Sequence, residues 1–148
     1  KVIQSIASVL MIALFMVPAF DHLFGWSQVP TAVVLAGNAM VIVGFYLMFL
    51  AMRANSYASS IIEVGGGQTV ISTGAYAVVR HPMYSGAALM FFGVPLALGS
   101  WWGLVPAAFV LPMLAWRLTS EEAYLLRNLP GYDAYRAKVR WRLVPLIW

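Results

Sequence analysis

Cysteine is absent from all 148 residues, which excludes disulfides, thiolate nucleophiles and cysteine-bound metals. Charge is scarce as well: Asp, Glu, Lys and Arg make up 9% of the chain, with five carboxylates against nine basic residues. Histidine occurs twice, at His22 and His81. A zinc site needs three or four ligands within reach, and the chain offers neither HExxH nor a cysteine pair, so no metal is expected. The run Gly65-Gly66-Gly67 is followed by neither Gly-Lys-Ser/Thr nor a GxGxxG pattern. It reads as a flexible turn rather than a phosphate cradle. A net charge of +4 could point to nucleic acid in a soluble protein. Here the basic residues flank apolar runs, so membrane topology accounts for them and no nucleic-acid partner is expected.

What is abundant is apolar surface. Hydrophobic residues make up 62% of the chain, against roughly half in soluble domains, so lipid is the expected solvent. Val2 to Phe20 is long enough to cross a hydrocarbon core of ~30 Å at ~1.5 Å per residue. It lacks a small-residue cleavage pattern and reads as a span rather than a leader. Residues 21–28 read as a short loop with Trp26 as an interfacial anchor. A second run covers 29–52 and is closed by Arg53. Its one strongly polar residue, Asn38, is expected to bond to a neighbouring helix. Residues 84–98 and 101–117 are shorter runs, separated only by Gly99 and Ser100, and read as a tight hairpin. From Thr119 the pattern Thr-Ser-Glu-Glu resembles a helix start. That helix would end near Asn128, ahead of Pro130-Gly131. A basic helix would follow from Tyr132 to about Arg142, its stripe of Tyr132, Tyr135, Val139 and Leu143 lying on the membrane or on the bundle.

The fold class expected is therefore all-α. It is a single domain over 1–148, an integral membrane helical bundle of about four transmembrane helices, with a polar loop at 53–83 and C-terminal helices in the tail 118–148. With four spans, all nine Lys and Arg residues fall on the side opposite the loops at 21–28 and 99–100. The positive-inside rule makes that side cytoplasmic. The expected localisation is multi-pass, with both termini, the 53–83 loop and the tail inside.

Two constellations lie on this face. The first is Gly74-x-Tyr76-x3-Arg80-His81-Pro82-x-Tyr84-x-Gly86, just ahead of a span. Pro82 keeps His81 extended and sets the angle at which the chain enters the helix. An interfacial anchor explains each of these residues singly, with Arg80 snorkelling and the tyrosines at headgroup depth. The second is Arg117-x3-Glu121-Glu122. Arg117 and Glu121 share a helix face and could form a simple i,i+4 ion pair. Three ionisable groups at the end of a span are costly toward lipid, however, and such groups usually turn inward to serve a site.

Together with Gly131-Tyr132-x2-Tyr135, these motifs resemble the isoprenylcysteine carboxyl methyltransferases and their phospholipid methyltransferase relatives. The resemblance runs over roughly residues 53–145. It implies an S-adenosylmethionine-dependent enzyme that methylates a small or lipid-like acceptor, a carboxylate or an amine, at the cytoplasmic membrane face. It further implies that Gln68, Thr69, Val70, Ile71, Tyr76, His81, Pro82, Met83 and Tyr84 line the cofactor pocket. Glu121 would meet the cofactor's ammonium and Arg117 would face the substrate. The family often carries histidine where this chain has Gln68. Two other readings compete. A membrane reductase of the sterol-reductase type has a similar RHPxY signature and would hold NADPH. A non-enzymatic membrane protein could retain the fold.

Overall fold

The computed structural model describes residues 2–55, 67 and 69–148, with the side chains of residues 2–5 and 7 left aside. The described elements are all helical: α1 (Val2–Phe24), α2 (Thr31–Ala54), a 3₁₀ turn (Gly74–Ala77), α3 (Pro82–Ala97), α4 (Leu104–Asn128) and α5 (Tyr132–Lys138). No strand occurs among the described residues. Among them, α2 is the one helix of 24 residues with the length and apolarity to cross a membrane, at a mean hydropathy of 2.2. Ser8–Phe24 and Pro82–Ala97 are apolar but shorter. The chain divides into two compact units, residues 1–45 with 87–115, and residues 46–86 with 116–148.

In the first unit, large apolar side chains face outward. Val9, Ile12, Leu35, Ile42, Phe45 and Phe109 are each more than half exposed. Apolar residues all round a helix are what a lipid surround requires. Inside, Leu14, Ala107, Val110 and Leu114 are buried. Helices α2 and α3 meet through glycine. A Cβ at Gly93 would lie 2.9 Å from Gly37 O and 2.9 Å from Met40 Cβ, and one at Gly37 would meet the Ala97 backbone. Small residues permit this approach, as they do between helices in membranes.

Several features differ from the sequence reading. The first loop begins later than expected, because α1 continues to Phe24 and takes in Asp21 and His22. Asp21 is 1% exposed. Its carboxylate accepts from the Ser27 backbone N–H at 2.8 Å and from the Ser27 and Ser100 hydroxyls, while Ser100 Oγ accepts from Gly103 N. A charge there is tolerable because three donors converge on the carboxylate. Asn38 is exposed and bonds back to Val34 O at 2.8 Å, within its own helix. That local bond satisfies the amide without a neighbour.

In the second unit, Thr119-Ser120 is not a helix start. Helix α4 runs unbroken from Leu104 to Asn128. Both hydroxyls accommodate the helix interior by donating to Trp116 O at 2.9 Å. The break falls at Pro130-Gly131, where Gly131 takes φ 85°, a left-handed conformation that glycine adopts without penalty. Helix α5 is then seven residues long, shorter than the expected run to Arg142. Leu129, Tyr132, Tyr135 and Val139 form a buried cluster with Val70 and Leu125 against it. The expected stripe is thus a packed core as far as Val139. The tail beyond is tied back to the start of α3: Arg80 N–H donates to Trp141 O at 2.8 Å and His81 N–H to Arg142 O at 3.0 Å. Ser85 Oγ donates to Leu143 O at 2.6 Å.

Candidate active site

The second unit gathers its ionisable groups from three stretches of chain: 76–84, the last turns of α4, and the tail. Pro82 is the first residue of α3, where its missing N–H costs no helical bond. It holds His81 just outside the helix, and His81 O accepts from Ser85 N at 3.0 Å. This arrangement aims His81 and Tyr84 the same way, with ring centroids 5.6 Å apart.

Glu121 and Glu122, adjacent on α4, take different partners. Glu122 is 3% exposed and meets three basic side chains. Arg80 Nε lies 2.8 Å from Oε1, His81 Nε2 lies 3.2 Å from Oε1, and Arg142 Nε donates to Oε2 at 3.0 Å. A carboxylate can only accept, so His81 bears its hydrogen on Nε2 here. The Arg80 contact is a close ion pair without an aligned N–H, and Arg80 Nε counts among the buried atoms lacking a hydrogen bond. Burial alone would raise the Glu122 carboxyl. The hydrogen bond and charge of His81, with Arg80 and Arg142, outweigh burial and hold it below the ordinary glutamate value.

Glu121 is half-buried, and its Oε2 accepts from the Tyr84 hydroxyl at 2.6 Å. The same hydroxyl oxygen accepts from Arg117 Nε at 3.0 Å. Arg117 and Glu121, four residues apart on one helix face, are therefore bridged by a tyrosine from α3. Tyr76 is buried beside this group, its hydroxyl accepting from Asn55 Nδ2 at 3.3 Å and its carbonyl from the Tyr135 hydroxyl at 2.8 Å. Tyr132 is 4% exposed and its hydroxyl has no hydrogen-bond partner among the described residues. Burial pushes its phenol far up, with the Glu122 charge adding to the effect. It is a neutral donor left without an acceptor.

Of the residues expected at the site, Arg117, Glu121 and Tyr84 are joined by hydrogen bonds, His81 packs its ring against Tyr84 but bonds to Glu122 instead, and Tyr76 lies close enough to feel the Glu121 charge. Pro82 is buried, while Ile71 and Met83 are half-buried. Val70 packs against the Tyr132–Tyr135 cluster instead. Thr69 is exposed, and no hydrogen bond links it to this group among the described residues. Gln68 lies outside the described residues, as do Gly65 and Gly66. None of Arg80, Glu122, Tyr132 or Arg142 was expected among the cofactor-binding or catalytic residues. Arg80 and Glu122 stood inside quoted motifs, and their charge at a span's end was a usable signal. Arg142 carried none, being one of several cations in a basic tail.

The described residues thus combine an all-helical fold, one helix long and apolar enough to cross a membrane, and a buried polar cluster. The sequence pattern of the phospholipid methyltransferase family matches residues 32–130, and the chain belongs to that family. The chain is also similar to the protein-S-isoprenylcysteine O-methyltransferase of Schizosaccharomyces pombe, at 36% identity over 72 residues. That alignment takes in 47% of this chain and 30% of the yeast protein.

Proposed function

We propose that this protein uses S-adenosylmethionine to methylate a small or lipid-like acceptor, a carboxylate or an amine, at the cytoplasmic face of a membrane. One observation carries the reading: Glu121, Tyr84 and Arg117 form a single hydrogen-bonded chain in a chain of the phospholipid methyltransferase family. The residues present fit such a cofactor. Glu121 Oε2 is taken up by Tyr84, which leaves Oε1 to accept an ammonium. The Tyr132 hydroxyl is a buried donor with no acceptor among the described residues. The faces of Tyr76, Tyr84 and His81 suit a soft cation.

Thr69 to Ile71, Tyr76, His81 through Tyr84, and Glu121 would hold the cofactor, with Gln68 as a further candidate. When bound, S-adenosylmethionine supplies an electrophilic methyl group on its sulfonium. The chain's own contribution is positioning and exclusion of water. Arg117, a planar donor whose Nε is anchored on Tyr84, would orient a carboxylate or phosphate of the acceptor. Four spans with both termini inside would let a lipid-like acceptor approach from the bilayer and the soluble cofactor from the cytoplasm.

Calorimetry on detergent-purified protein tests this. Wild type should bind S-adenosylmethionine saturably, and Glu121→Ala should weaken binding at least tenfold, as loss of a charged hydrogen bond would. Folded wild type that ignores S-adenosylmethionine but binds NADPH would replace this reading with a membrane reductase.

A further inference from the structure

The stretch 74–85 has two faces. Tyr76, Arg80, His81 and Tyr84 turn to the polar cluster, whereas Val78, Val79, Pro82 and Ser85 wall a separate cavity of about 690 Å³. Leu47, Leu50 and Arg53 of α2 line the cavity, and Leu143 and Pro145 of the tail complete it. Its volume is within the range of ligand sites, roughly 300–1,000 Å³. Among the described residues, the wall is apolar apart from two side chains. Ser85 Oγ is already engaged with His81 O and Leu143 O. Arg53 is exposed at the last turn of α2, and among the described residues no carboxylate pairs with it.

We infer that this cavity binds one acyl chain of an anionic glycerophospholipid, with the phosphate on Arg53. The charge decides the class of ligand. A guanidinium at the rim of an apolar slot attracts phosphate and repels an amine, and the described residues of the wall include no carboxylate or aromatic cage that would hold a cation. Basic pockets at the cytoplasmic ends of spans bind anionic headgroups for the same reason. None of Arg117, Glu121 or Tyr84 lines the cavity, so this lipid site lies apart from the proposed acceptor site, with Pro82 the one described residue it shares with the proposed cofactor site. It would link the tail to the end of α2 through the lipid chain. The inference does not depend on the methyltransferase reading.

Native mass spectrometry of the full chain, released from a neutral detergent with phosphatidylglycerol and phosphatidylcholine in competition, tests it. Wild type should retain one phosphatidylglycerol, preferred about fivefold, the worth of one arginine near an anionic surface. Arg53→Gln should bring that preference close to one. Arg127→Gln removes an equal charge from an exposed turn of α4 and should leave it intact. Leu50→Trp, which fills the cavity, should abolish retention of both lipids. Equal retention of the two lipids by wild type would overturn the headgroup assignment without needing any variant. Equal effects of Arg53→Gln and Arg127→Gln would reduce it to bulk charge, and full retention by Leu50→Trp would move the lipid out of the cavity. S-adenosylmethionine binding, measured on the same samples, reports separately on the proposed activity.

Discussion

Arg80, His81 and Arg142 converge on one buried carboxylate, and that convergence makes Glu122 more than a neighbour of the proposed cofactor ligand. Removing its charge leaves Arg80, whose side chain is 7% exposed, without a counter-ion. Breaking a buried pair in this way typically costs about 3–5 kcal/mol. Glu122→Gln should therefore lower the melting temperature in detergent markedly, whether or not cofactor is bound. The same residue sets an acid limit. Its folded value lies below the ordinary 4.5, so folding favours the charged form. The stabilisation is complete above about pH 4.5 and is lost as the pH falls through the lower folded value. Melting curves should show a steeper acid decline in wild type than in Glu122→Gln. At Tyr84 the expected effect is on binding instead. Tyr84→Phe removes the hydroxyl between Glu121 and Arg117 and should weaken S-adenosylmethionine about tenfold or more by calorimetry, given ~1.5–3 kcal/mol for a hydrogen bond to a charged group.

Among the elements, α4 is the most informative. Its middle was expected to hold a helix start, because Thr and Ser ahead of Glu-Glu satisfy the local rule for an N-cap. In the structure both hydroxyls are spent on Trp116 O and no terminus exists there. The double substitution Thr119→Ala with Ser120→Ala should then leave thermal stability within about 0.5 kcal/mol of wild type or raise it slightly. A true cap would lose ~0.5–2 kcal/mol. The meeting of α2 and α3 is less tolerant. Gly93 abuts backbone at Gly37, which cannot yield as a flexible side chain could. Gly93→Val should cost about 1–3 kcal/mol by overpacking, read as a lower melting temperature with the site residues untouched.

For the whole molecule, the asymmetry of charge is the property to test. Nine basic residues lie at the ends of apolar runs or in the C-terminal tail, and the proposed four-span arrangement would put them all on one side. The chain has no cysteine, so single cysteines report without background. Replacing Trp26 or Arg136, both exposed, with cysteine in sealed inverted vesicles should give opposite labelling by a membrane-impermeant maleimide: protected at position 26 and modified at position 136. Modification of both positions in intact vesicles would overturn the four-span topology.

Features that depend on local pattern were legible in the amino-acid order alone. The helical class follows from long apolar runs. The placing of Lys and Arg at or beyond the ends of the apolar runs is read directly from the sequence, and the RHPxY segment ahead of a helix follows from the stereochemistry of Pro82. Only the tertiary structure decided which of two adjacent glutamates is the hub and which is bridged by Tyr84. Helix phase separates Glu121 from Glu122 by ~100°, but their partners come from 37 and 41 residues away. Distance along the chain also hid Arg142, brought to Glu122 by backbone bonds from Arg80 and His81 to the tail. Burial, which encloses the Tyr132 hydroxyl and the Asp21 carboxylate, is set by what packs over a residue and not by its type. That is the part a linear reading could not supply.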